Sequence, residues 1–226
     1  MKRLMKQSEQ TIENEDYLWA QGLILKDEWA NYLTHGLGLI LSLFGLIFLM
    51  IKSFSMEDYW KALNFLIYGS TLVLLYSAST LYHFFKDPSL KKIFRKIDHC
   101  AIYLLIAGSY TPFTLIALQG FWGWLLFSIV WILACFGIII KAFFIQRFKT
   151  ASTWLYLGMG WLIIIAFEPL FNSVSSKGLY WLFIGGGFYT VGVIFYVLDR
   201  IRFFHAIWHL FVMGGSICHF FAILFL

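Results

Sequence analysis

Three histidines carry the chemistry within reach of this sequence. His205 and His209 stand four residues apart in one apolar stretch, so on a helix both imidazoles point at one spot. His83 lies near the end of another such stretch, and a third imidazole from a neighbouring helix completes three nitrogen ligands. That is the ligand count of a catalytic zinc site, with the fourth position left for water. Histidine is costly in lipid, which makes the cluster informative. The HxxxH spacing alone is weak, and a lone interfacial histidine such as His35 or His99 is ordinarily a helix anchor.

The neighbours of these histidines have distinct roles open to them. Ser79 precedes His83 by one helical turn and faces the same way, so its hydroxyl can serve a substrate carbonyl or a water, or bond back to the Leu75 carbonyl. Asp98 is an acid just inside an apolar stretch, where ionisation needs a cation or hydrogen bonds to offset it. It is a candidate general base, or else the partner of Lys96 or Arg95. Glu28, Asn31 and His35 repeat at i, i+3 and i+7, which places them on one helix face. That stripe can hydrogen-bond the outer ring nitrogens of metal-bound imidazoles, or line a cytoplasmic entrance.

The elements that must position these groups are membrane helices. The 226 residues are 61% hydrophobic and 13% charged, which excludes an ordinary soluble domain. Apolar stretches long enough to cross the hydrocarbon core run over about 31–51, 62–85, 98–118, 121–144, 153–170, 179–198 and 204–226. The fold class is therefore an all-α seven-transmembrane helix bundle over 28–226, preceded by a polar N-terminal segment over 1–27. That segment lacks the apolar core and cleavage site of a signal peptide, and reads as a short tail at the membrane surface. The longest connection falls at 86–97 and carries Pro88.

Charge sets the orientation. With the N-terminus cytoplasmic, only Lys52, Lys61 and Lys177 of the 17 basic residues fall outside. The positive-inside rule then reads N-terminus in and C-terminus out. The net charge of +5 speaks for attraction to an anionic inner leaflet and against nucleic acid. On this topology His83, Asp98, His205 and His209 all come to similar depth near the cytoplasmic face, as do Glu28, Asn31 and His35, while His219 lies deeper. Cys100, Cys135 and Cys218 sit in separate stretches without CxxC spacing and read as buried small residues, not as a disulfide framework. The glycines at 185–187, 192, 214 and 215 read as sites of close helix packing.

Four stretches in order, EWANYLTH (28–35), SASTLYH (77–83), KIDHCAIYLLIAGSYTPF (96–113) and HAIWHLFVMGGSICH (205–219), resemble the motif regions of the progestin and adipoQ receptor superfamily, in particular its bacterial hemolysin III branch. The resemblance covers nearly everything from residue 28 onward. It implies a seven-helix bundle with a cytoplasmic N-terminus, zinc on His83, His205 and His209, and Ser79 and Asp98 beside the metal. Glu28, Asn31 and His35 match its first motif. The long N-terminal extension of the adiponectin receptors is missing, and His99 and Cys100 follow the aspartate, so adiponectin signalling is not implied.

Three functions are open at this level. The first is a zinc-dependent hydrolase of lipid amide or ester bonds, working from the inner leaflet of a bacterial cytoplasmic membrane. The second is a membrane homeostasis or sensing protein with a structural or regulatory zinc. The third is a cytolytic pore, against which stands the lack of polar stripes along the fourth and sixth apolar stretches. The expected partner is a membrane lipid, and the oligomeric state is left open.

Overall fold

The computed structural model describes residues 27–144 and 150–226. Apart from Asp27, the N-terminal segment 1–27 lies outside the described residues. Among them, seven helical spans are long and apolar enough to cross a bilayer: Asp27–Ser55, Tyr59–Phe84, Pro88–Leu118, Gly120–Phe144, Thr150–Ser173, Ser176–Val197 and Phe204–Leu224. The chain is a multi-pass membrane protein. Its helices are α1 (Lys2–Ser55, described from Asp27), α2 (Tyr59–Phe84), α3 (Pro88–Pro112), α4 (Gly120–Phe144), α5 (Lys149–Trp161), α6 (Phe167–Ser173), α7 (Ser176–Val197) and α8 (Phe204–Leu224).

The third span starts ten residues earlier than hydropathy indicates. Asp87 accepts hydrogen bonds from the Ser89 and Leu90 amides, and Pro88 takes the first helical position, where its missing N–H costs nothing. Hydropathy marks where a helix enters lipid, whereas the cap marks where the helix begins, so the basic turns at 89–97 are helix and not loop. The connection shrinks to Phe85, Lys86 and Asp87.

The fifth span is not one α-helix but α5 and α6 joined by a 3₁₀ segment, Leu162–Ala166. Pro169 has no N–H to offer the Ile165 carbonyl, so the regular ladder fails one turn before it. Tyr110 of α3 repairs part of the loss. Its hydroxyl donates to the Gly160 carbonyl at 2.9 Å and accepts from the Ile163 amide at 2.9 Å. A second irregularity, the π-helical Phe113–Leu118, follows Pro112 at the end of α3.

Packing puts α2 and α3 at the centre, with α1 against α2, α8 against α1 and α7 against α8. The core is aromatic as well as aliphatic: Phe65, Tyr68, Tyr76 and Tyr103 are all but fully buried. Of the expected packing glycines, Gly192 and Gly214 do admit a close neighbour, Phe211 and Phe188 respectively, but Gly187 faces open space. Cys218 is buried and Cys100 half-buried, whereas Cys135 lies on the exposed face of α4, where lipid takes the place of a core neighbour.

The basic residues divide between the two ends of the bundle. Lys52 donates to the Leu224 carbonyl at 2.8 Å, Lys61 to the Leu226 carbonyl at 3.1 Å, and Lys177 stands over the Phe225 ring. These three cations gather at the end of α8, where unpaired carbonyls and the helix dipole favour positive charge. Lys91 and Arg202 lie at the opposite end, beside Glu28 and Asp27.

Candidate metal centre

The start of α8 is held by α1. Phe203, the residue before α8, takes a left-handed conformation (φ 64°) and supplies no side-chain cap. Asp27 accepts from the Phe203 amide at 3.3 Å and from Arg202 Nε at 3.2 Å, so a carboxylate from another helix does the capping. Five residues after the start of α8, His209 is fully buried, with His205 one turn before it. His83 arrives from the last turn of α2.

One ring nitrogen from each of His83, His205 and His209 lies within 4.8 Å of the others, close enough to bind a metal ion. Two of the three imidazoles have their tautomer set by their surroundings. The Nδ1 of His83 is 2.6 Å from Glu28 Oε2, and since a carboxylate only accepts, Nδ1 carries the proton. Thr34 gives its hydroxyl proton to the carbonyls of Ala30 and Asn31, so it accepts from His209 Nδ1 at 3.1 Å. The Asn31 carbonyl, 3.3 Å away, shares that proton. In both rings the lone pair is thereby left on Nε2, which is buried and without a protein partner. Metal-binding imidazoles characteristically present one nitrogen inward and hold the other by a carboxylate or carbonyl.

Glu28 is itself fixed. Its second oxygen is 2.6 Å from Lys91 Nζ, which also stands over the Tyr82 ring at 4.9 Å. One carboxylate thus ties α1 to both α2 and α3.

Ser79 has no exposed surface, and its hydroxyl makes no hydrogen bond to the protein. Hydroxyls elsewhere in these helices, such as those of Thr71, Thr80 and Thr111, close on a carbonyl three or four residues back. Ser79 does not bond to Leu75 in that way, and so remains available beside His83. Asp98 is buried, lies within electrostatic range of His83 and His35, and stands outside the triangle of histidine nitrogens. It lies 3.4 Å from His99 Nδ1, which is also 2.9 Å from the Arg95 carbonyl, and Lys96 and Arg95 themselves are on the earlier, more exposed turn of α3.

The α1 stripe is therefore divided in its contacts. Glu28 bonds a histidine through its carboxylate, and Asn31 approaches one through its backbone carbonyl. His35 stacks on His209, centroids 3.5 Å apart, with neither ring nitrogen hydrogen-bonded. Thr34, Lys91 and Asp27 belong to the site's support and are not among the residues that spacing singles out. Thr34 lies three residues after Asn31, and Lys91 falls in the stretch 86–97 that hydropathy leaves as a connection.

His35 also lines a cavity that runs between α3, α5, α7 and α8. The walls are mostly apolar, with Leu105, Ile106, Leu182 and Val212 among them, and His219 at the far end.

A family model described as haemolysin-III related matches residues 23–220. This chain belongs to that family. It is 50% identical over 201 residues to the Hemolysin-3 homolog of Bacillus subtilis (strain 168), covering 89% of this chain and 94% of that one. It is 49% identical to Hemolysin-3 of Bacillus cereus, covering 89% and 92%. A human relative, monocyte to macrophage differentiation factor, is 31% identical over 86% of this chain and 82% of its own length. These matches agree with the hemolysin III branch of the progestin and adipoQ receptor superfamily.

Proposed function

We propose that this haemolysin-III-related protein is a zinc-dependent hydrolase that cleaves amide or ester bonds of membrane lipids from the inner leaflet of the bacterial cytoplasmic membrane. The observation that carries the reading is the pair of inward Nε2 atoms on His83 and His209, left without protein partners while Glu28 and Thr34 hold the outer nitrogens. The donor set of three imidazoles suits zinc. Zinc held there would polarise a carbonyl and bring the ionisation of a water toward neutral pH.

The protein's own groups supply the rest. The acyl chain lies in the apolar cavity, which places the scissile carbonyl at its His35 end, toward the histidine cluster. Asp98 takes a proton from the attacking water as the new C–O bond forms, and Ser79 donates to the carbonyl oxygen as charge develops on it. Asp98 then returns the proton to the leaving nitrogen or oxygen as the C–N or C–O bond breaks. With the N-terminus inside, as the distribution of basic residues suggests, water and head group exchange with the cytoplasm while the chain stays in the bilayer.

A second reading draws on where the cluster sits. A metal there joins α2 to α8, with α1 gripping both, and a staple of that kind suits a lipid-sensing or homeostasis protein with a structural zinc. The cytolytic reading that the name of the B. cereus relative suggests finds little support in α4, whose buried face is Gly123, Leu126, Val130, Ala134, Gly137 and one cation, Lys141.

The test is reconstitution in liposomes with a panel of N-acyl and O-acyl lipids, reading released fatty acid with His209→Ala as the control. Release that requires His209 supports the hydrolase. If zinc-loaded protein cleaves no lipid in a broad panel, the sensing reading takes its place.

A further inference from the structure

We infer that the far end of the cavity is a second polar subsite, formed by His219 and Tyr189, that receives a hydroxyl group carried midway along a lipid acyl chain. The inference rests on the reading of the cavity as an acyl-chain site.

His219 follows His209 by ten residues on α8, which separates the two by about 15 Å along the helix axis, the reach of roughly a dozen carbons. Both ring nitrogens of His219 are buried, and neither makes a well-formed hydrogen bond. The Leu182 carbonyl is near enough to draw weakly on the ring N–H. A neutral imidazole also has a lone pair on its other nitrogen, and no neighbouring group donates to it. An acceptor buried in this way, in a wall that is mostly apolar, calls for a donor from whatever fills the cavity.

Tyr189 supplies the complementary group. Its ring meets His219 edge-on at 5.2 Å, and both residues line the cavity. Ser216 Oγ accepts from the Tyr76 hydroxyl at 2.8 Å and lies 2.9 Å from the Tyr189 oxygen. Ser216 Oγ has no other hydrogen-bond partner among the described residues, so the Tyr189 oxygen is the acceptor within reach of its own proton. The phenolic proton of Tyr189 is then left for the cavity. An alcohol donates to His219 and accepts from Tyr189 at once, a ketone only accepts, and a methylene does neither.

The pair has been given room. A Cβ at Gly185 would fall 2.3 Å from His219 Cδ2 and 2.8 Å from Nε2, and one at Gly215 would fall 2.8 Å from the Tyr189 ring. Any larger residue at either glycine displaces one member of the pair.

The experiment uses full-length protein in nanodiscs and displaces a bound fluorescent fatty acid with stearate, 12-hydroxystearate or 12-oxostearate. The expected result is that 12-hydroxystearate competes about tenfold better than stearate, the worth of one to two buried hydrogen bonds, while 12-oxostearate gains less. Tyr189→Phe, which deletes one oxygen and leaves the packing alone, and His219→Phe should each bring 12-hydroxystearate down to the level of stearate without weakening stearate. Equal competition by all three acids would mean that water alone fills the subsite, which overturns this inference and leaves the acyl-chain cavity standing. A hydroxyl preference that survives both variants also overturns it. Competition by none of the acids would remove the acyl-chain reading itself.

Discussion

His35 lies face to face with His209, ring centroids 3.5 Å apart and planes 17° from parallel. The contact places a histidine that donates to no protein group directly behind one that has its lone pair turned to the candidate metal position. His35 is further enclosed by Tyr76, edge-on at 5.0 Å, and it stands where the histidine cluster meets the cavity. Its role is to fix the plane of His209 by stacking. His35→Phe should therefore keep zinc affinity within a few-fold, and His35→Ala should weaken it further, by about the 0.5–1.5 kcal/mol of an aromatic pair. Zinc competition titrations check this, and loss of all zinc in His35→Phe would make His35 a ligand instead.

Purified protein should hold close to one zinc per chain, and His209→Ala should lose most of it. Elemental analysis of the two proteins decides the matter, since full occupancy in the variant rules out this site. Because the metal would join α2 to α8, chelation should also lower the melting temperature of the native protein and leave that of His209→Ala nearly unchanged.

Glu28→Gln should weaken zinc binding by about 10–100-fold, the usual loss when the partner of an outer ring nitrogen is changed. The amide can still accept from His83 Nδ1, but it loses both the charge and the ion pair with Lys91 at 2.6 Å. Lys91→Met should cost less, because Glu28 keeps its bond to His83. A Lys91→Met effect larger than that of Glu28→Gln would mean that the cation, and not the carboxylate, organises the site.

Asp98→Asn should retain zinc and abolish hydrolysis, because an amide cannot take the proton from the attacking water. Ser79→Ala should cost less, as water can stand in for the missing hydroxyl. Turnover in Asp98→Asn equal to that of the native protein would exclude Asp98 as the base, and loss of its zinc would place Asp98 among the ligands.

Orientation is open to direct measurement. With the N-terminus inside, a cysteine in place of Lys177 should react with a membrane-impermeant maleimide on intact cells, and one in place of Lys92 only after permeabilisation. The reverse pattern would put the histidine cluster on the outer face.

Much of this protein was legible in its sequence, because lipid imposes simple rules. A helix that must satisfy its own backbone in hydrocarbon needs an unbroken apolar run, and so seven such runs marked the seven spans. The i, i+4 spacing of His205 and His209 likewise placed two imidazoles on one face before any fold was known. The tertiary structure decided what depends on groups distant in the chain. Whether Ser79 bonds to its own helix or stays available, which oxygen holds His83, and what lies against His209 are set by α1, α2, α3 and α8 meeting, and periodicity carries no record of such meetings. The start of α3 at Pro88 and the break before α6 are not legible in hydropathy for another reason. A hydropathy run measures transfer into lipid, while caps, prolines and the Tyr110 hydroxyl act through individual backbone hydrogen bonds. The seat of His219 beside Tyr189 is of the same kind, since two glycines on different helices make room for the pair and only packing shows which side chain each one admits.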